Sequence, residues 1–204
     1  MVELISNFKR YFWKKNLRDE RFLSLIENFP ENEFIVFDTE TTGLDRRTDS
    51  VISIGAVKIV KNRIELSKSL NIYLMEKGES SKEAIKIHKI REVDRIYGFT
   101  EREAIEQFVD FIGSRPLVGY YLEFDIAMMN KIFRRFAGVS LPNRQIEVSE
   151  IYYKKMIRKF PNGNVNLSFD SISKELNIPN FGKHDALNDA LMTALIYLKL
   201  KANS

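Results

Sequence analysis

Four apolar residues run straight into two carboxylates at FIVFDTETTGL, Phe34 to Leu44. No other stretch constrains the fold as strongly. A short continuous apolar run is the pattern of a central strand buried on both faces. Side chains alternate along a strand, so Asp38 and Glu40 share one face where extended geometry persists to Glu40. Gly43 tolerates positive φ and lets the chain turn away. A strand end that needs only solubility is served by Lys, Ser or Asn. Two carboxylates on one face point to a use for negative charge.

The rest of the chain frames that strand. SVISIGAVKIV (Ser50–Val60) predicts a second strand and Ile64–Met75 a third, linked by the short hairpin Lys61-Asn62-Arg63. Ala104, Ile105, Phe108, Val109 and Ile112 have helical spacing over Glu101–Ile112. Pro116–Tyr121 reads as a short strand leading into a helix from about Phe124 to Phe136, and Gln145–Ser149 as a last strand. Helical segments follow near 150–159, 168–176 and 185–201, and Pro161-Asn162-Gly163 is the clearest loop. The order βββαβαβα predicts the α/β class, with a mixed sheet and helices packed against it.

At 204 residues the chain suits one well-packed domain, 31–204, preceded by a basic and aromatic helical extension over 1–30 that Pro30 closes. Phe8, Tyr11, Phe12 and Trp13 are expected to dock that extension on its own domain rather than in a membrane interface. There is no cysteine, which rules out disulfides and thiolate metal sites. Apolar runs fall well short of the roughly 18 residues of a membrane span, and the N-terminus lacks a secretory pattern. No membrane partner is expected, and the cytoplasm is the default location. The net charge of +4 permits a polyanionic partner without demanding one.

Two further acids complete a pattern. Asp125 lies in GYYLEFD near a strand–helix junction, and Asp189 lies inside a helix in HDALNDALMTALIYL. Each has a plain alternative. Asp125 suits a helix N-terminus, Asp189 shares a polar stripe with Asp185 and Thr193, and His184 and His88 suit ordinary polar contacts. Together, three separated segments place carboxylates at strand ends, or on a helix able to cap those ends. That rim is where α/β sheets build sites. Four carboxylates suit hard divalent cations such as Mg²⁺, and two ions about 4 Å apart suit displacement at phosphorus. Without cations, such acids repel and some hold protons. A nearby histidine can take a proton near neutral pH.

FDTETTGL, GYYLEFD and HDALNDA resemble the three motifs of the DEDDh (DnaQ-like) 3′–5′ exonucleases, most of all the proofreading epsilon subunits of bacterial replicative DNA polymerase. The resemblance runs from about Glu33 to Leu200. It includes IHKI, around His88, which is similar to the family's His-Gly-Ile stretch. It implies a ribonuclease-H-like fold, a five-stranded mixed sheet flanked by helices. It implies that Asp38, Glu40, Asp125 and Asp189 bind two divalent metal ions, Mg²⁺ or Mn²⁺, and that His184 is the general base. Thr39, Thr41 and Leu44 match positions lining the pocket for the terminal nucleotide, with Leu44 against the base. Between Asp185 and Asp189, the motif selects Asp189, five residues after His184. Five residues turn a helix by about 140° net, so His184 must reach over from the entry turn.

One departure stands out. Where epsilon-like proteins usually carry His-Asn in the second motif, this chain has Tyr120 and Tyr121. Each offers a hydroxyl and a ring able to stack on a base or to pack. The basic groups Lys131, Arg134, Arg135, Lys154, Lys155, Arg158 and Lys159 suit phosphate contacts or simple solvation. The implied activity is release of 5′-mononucleotides from a single-stranded or frayed DNA 3′ end, in proofreading or repair. Alternatives are a 3′–5′ exoribonuclease and a non-catalytic nucleic-acid-binding or polymerase-associated module. The implied partners are the nucleic-acid 3′ end and a DNA polymerase, with action inside a polymerase assembly or alone left open.

Overall fold

The computed structural model of the chain describes residues 10–75, 96–161, 163–182 and 184–202. A helical stretch at 10–16 and a 3₁₀ turn at Glu20–Ile26 precede the strands β1 (Glu33–Thr41), β2 (Val51–Val60) and β3 (Arg63–Tyr73). Then come α1 (Glu101–Ile112), β4 (Leu117–Gly119), α2 (Leu122–Ala137), β5 (Gln145–Glu147), α3 (Val148–Lys159), α4 (Phe169–Glu175) and α5 (Ala186–Ala202). The sheet has five strands in the order β3-β2-β1-β4-β5. The first three form an antiparallel meander, while β4 and β5 run parallel to β1. It is the expected five-stranded mixed sheet flanked by helices.

Alternation along β1 divides the core in two. Ile35 and Phe37 face one layer with Phe22 and the apolar stripes of α1 and α2. Phe37 meets Phe108 edge-on at 5.2 Å between centroids. Val36 faces the other layer with Val148 and Tyr152 of α3, Ile172 of α4 and Ala194 and Ile196 of α5. Each such side chain fully buried contributes about 1.5–3 kcal/mol before conformational entropy is subtracted.

Several ends differ from the sequence expectation. β1 continues to Thr41, so both acids belong to the strand itself. β4 stops at Gly119, because Tyr121 takes a left-handed conformation (φ 56°, ψ 32°) and α2 starts at Leu122. Described residues of the N-terminal extension share the main core: Phe22 and Leu25 are buried within it. Trp13 Nε1 donates to the carbonyl of Ser140 at 2.7 Å, and Arg18 N to that of Ala137 at 3.0 Å. Among the described residues, no helix is long and apolar enough to cross a membrane.

Candidate active site

The two-residue period of β1 sorts the first motif. Asp38 and Glu40 follow Val36 onto the α5 side of the sheet, while Thr39 follows Phe37 onto the α1–α2 side. Thr39 there meets the start of α2. Its backbone N–H and hydroxyl both donate to Asp125 Oδ1, at 3.0 and 2.5 Å. Asp125, buried to 4% exposure, is thus pinned to β1 across 86 positions of sequence. Thr39, expected to line a nucleotide pocket, thus spends its hydroxyl on a carboxylate of the second motif. Thr41 is buried likewise, its hydroxyl bonded to the Gly43 carbonyl at 2.6 Å. That bond braces the turn that follows β1. Leu44 stands at the tip of that turn, 83% exposed.

Glycine 55 brings the third motif in. It lies opposite Asp38 in the β1–β2 register. A Cβ at this position would sit 2.1 Å from the backbone of Ala186 and Leu187, so the start of α5 rests directly on bare strand. Sequence reasoning passed over this residue, although a glycine inside a strand pattern is the usual sign of such an approach. Asp189, in the first turn of α5, then reaches the β1 acids. His184 sits in the entry turn with φ 64°, and its backbone N–H donates to Asp189 Oδ2 at 2.9 Å. Glu40, His184 and Asp189 each place a possible ligand atom within 4.8 Å of the others.

The electrostatics follow from that crowding. Burial pushes Asp38 well above its ordinary range, and the carboxylates of Asp125, Asp189, Glu40 and Asp185 push it further. Glu40 is pushed up to about 8 by burial, then by Asp189, Asp125 and Asp185. Asp125 is pushed up to about 7 by burial, against the lowering effect of its Thr39 bonds. Asp185, which the motif set aside, is therefore part of the same negative field. It also caps α5, accepting from Asn188 N at 3.0 Å. Oxygen donors held this close are the ligand set of a hard divalent cation, whose charge removes the repulsion. The residues fit such ions.

The remaining walls are aromatic and acidic. Asp38, His184 and Asp189 open onto a cavity of about 320 Å³ shared with Tyr120, Phe169 and Thr193. Tyr120 packs edge-on to Phe169 at 5.0 Å and donates its hydroxyl to the Leu167 carbonyl at 3.0 Å. Tyr121 lies outside this cavity, on the rim around the start of α2. Glu147, missed in the sequence, ends β5 and accepts from Leu122 N at 2.9 Å and from Ser149 N at 3.0 Å. One carboxylate thereby caps both α2 and α3. His88 lies outside the described residues.

Most of the basic helix residues have intramolecular partners. Lys131 donates to the carbonyls of Arg47 and Asp49. Arg134 bonds Ser140, Arg135 pairs with Glu101, and Lys154 pairs with Glu150.

Comparison with known proteins gives the family and the fold. The exonuclease family model (RNase_T) matches residues 35–197. The DNA polymerase III subunit epsilon of Aquifex aeolicus is 28% identical over 179 residues, covering 87% of this chain and 85% of that protein. The subunit epsilon of Escherichia coli K12 is 30% identical over 178 residues, covering 81% of this chain and 70% of that protein. The fold is similar to E. coli ExoI in its zinc-bound complex with ssDNA, with a TM-score of 0.72 at 15% identity. That match covers 86% of this chain and 41% of ExoI. The fold is the ribonuclease-H-like one, and the chain belongs to the exonuclease family as a DnaQ-like 3′–5′ exonuclease.

Proposed function

We propose that this enzyme hydrolyses the terminal phosphodiester of DNA 3′ ends, releasing 5′-mononucleotides at a centre of two divalent cations. The observation that carries the reading is the convergence of Asp38, Glu40, Asp125 and Asp189, the first three held above their ordinary pKa by burial, with the neighbouring carboxylates adding to the rise of Asp38 and Glu40. A fold gains nothing from that repulsion, so a bound cation is the simplest reason to keep it. Those four carboxylates would hold Mg²⁺ or Mn²⁺, which when bound supply Lewis acidity to the attacking water and to the leaving oxygen.

The chain's own residues supply the rest. The His184 side chain takes the proton of the attacking water. Its place in a left-handed entry turn puts it beside Glu40 and Asp189. The His184 N–H keeps Asp189 oriented, and Thr39 keeps Asp125 oriented. Tyr120 and Phe169 form the apolar wall for the terminal nucleotide, and exposed Leu44 packs on its base. The kinship with polymerase III epsilon subunits supports DNA as the substrate and a DNA polymerase as a partner.

The test is digestion of matched 3′-end-labelled and 5′-end-labelled single-stranded DNA and RNA with Mg²⁺, Mn²⁺ or EDTA. Metal-dependent stepwise shortening of DNA from the 3′ end is expected. Preference for RNA would reassign the substrate. Cleavage that persists in EDTA, or in Asp38→Ala, would overturn the assigned chemistry.

A further inference from the structure

The start of α2 carries an aromatic surface that hydrolysis does not use. Tyr121 holds a left-handed backbone, a conformation that costs a non-glycine residue of order 1 kcal/mol. Its side chain makes no helix cap, since Glu147 does that work from β5. The ring is instead 64% exposed. It lies parallel to Phe124, with planes 17° apart and centroids separated by 6.3 Å. Arg46, from the loop after β1, places its guanidinium 5.9 Å from the Phe124 centroid and pairs with Glu123 at 2.9 Å.

Both halves of this surface are held firmly. The loop is anchored by Lys131, which donates to the carbonyls of Arg47 and Asp49 on either side of its bend. Phe124 is only 8% exposed and cannot swing out without opening the core. Neighbours along the chain tie this surface to the hydrolytic centre. Phe124 immediately precedes Asp125, and Tyr121 immediately follows Tyr120 on the cavity wall.

From this arrangement, and resting on the nucleic-acid reading above, we infer that Tyr121, backed by Phe124 and flanked by Arg46, is a stacking seat for an unpaired nucleobase upstream of the cleaved bond. The cleft below Tyr121 is lined by Glu123, Glu147 and Glu150, and these acids repel phosphates. A strand crossing here therefore turns a base toward Tyr121 and keeps its phosphates out of that cleft, since the Arg46 charge is already paired with Glu123. A base inside a duplex is already stacked on both neighbours, so the seat serves single-stranded ends. Loss of one stacked base corresponds to a roughly 5- to 150-fold rise in KM.

The test crosses two deletions. Steady-state kinetics are measured for wild type, Tyr121→Leu and Tyr121→Phe. The substrates are a single-stranded DNA oligonucleotide and versions with one abasic residue at the second or third position from the 3′ end. In wild type, one abasic position is expected to raise KM by roughly 5- to 150-fold. Tyr121→Leu should raise KM on the intact oligonucleotide by a similar factor and then be insensitive to that abasic position. Tyr121→Phe should keep the wild-type sensitivity. Losses that multiply independently in Tyr121→Leu, or a wild type indifferent to both abasic positions, overturn the seat while leaving the hydrolytic assignment standing. A wild type that cleaves neither the intact oligonucleotide nor the p-nitrophenyl ester of thymidine 5′-monophosphate, which has no upstream base, refutes the underlying reading and the seat with it.

Discussion

The replacement Gly55→Ala tests the most consequential contact in the site. The added methyl would lie 2.1 Å from the Ala186 carbonyl carbon and the Leu187 nitrogen, and 2.4 Å from the Ala186 oxygen. Real Cβ contacts do not fall below 3.0 Å, and both partners are backbone, so no side chain can swing aside. The start of α5 must retreat by about 1 Å or the strand must bow. Alanine suits a strand interior better than glycine by roughly 0.5–1 kcal/mol, but overpacking costs about 1–3 kcal/mol. The clash is expected to win. At roughly 2–4 °C per kcal/mol for a chain of this size, Tm should fall by several degrees. The retreat also carries His184 and Asp189 away from Asp38 and Glu40, and a 1 Å misplacement costs about 10²-fold in rate. The assay pairs circular-dichroism melting with single-turnover digestion of a 3′-labelled oligonucleotide. Gly119→Ala serves as the comparison, since there the nearest obstacle is the movable end of the Leu122 side chain at 2.7 Å. A Gly55→Ala enzyme with wild-type Tm and rate, or one no worse than Gly119→Ala, would refute the close-approach argument.

Three further outcomes follow from the same geometry. In EDTA, Tm should fall as pH rises from about 5 to about 8. Glu40 and Asp125 titrate near 8 and 7 when folded but near 4 when unfolded, so the native state binds more protons in that window and loses stability on releasing them. Saturating Mg²⁺ should flatten the slope, and a flat profile in EDTA would count against the acid cluster. Thr39→Val removes the hydroxyl bond to Asp125 without changing shape, and is expected to weaken the Mg²⁺-induced rise in Tm by the equivalent of a roughly 10- to 100-fold loss of affinity. An unchanged Mg²⁺ titration would show that the backbone N–H of Thr39 suffices. Glu147→Ala uncaps two helices at once and should cost about 1–3 kcal/mol in denaturant unfolding; a variant as stable as wild type would remove Glu147 from the support of the site.

Some of this architecture was legible along the chain, because it is written in local periodicity. The two-residue alternation through Phe34–Glu40 places Asp38 and Glu40 together whatever else the chain does. The helical spacing of Ala104, Ile105, Phe108 and Ile112 marks α1, and the meander and its hairpin follow from short apolar runs and their turn residues. The sequence could also bring forward Asp125, Asp189 and His184, because their motifs carry recognisable order and spacing.

What the tertiary structure decided is which groups meet. Thr39 matches a pocket position of the motif, but only the fold shows what it touches: Asp125, arriving from 86 positions away. Tyr120 and Tyr121 are adjacent and alike in sequence. One closes the cavity and the other stands outside it, because the chain takes a left-handed turn between strand and helix. Lys131 reads as a phosphate contact or a solvated cation, and the fold ties it to a loop. Glu147 caps a helix that begins well before it in the chain. Gly55 becomes decisive only when α5 lies on it. Alternation and helical pitch act between near neighbours and survive in any fold. The burial that raises Asp38, Glu40 and Asp125, and the charge crowding that adds to it at Asp38 and Glu40, exist only after three separate segments pack around the end of one strand.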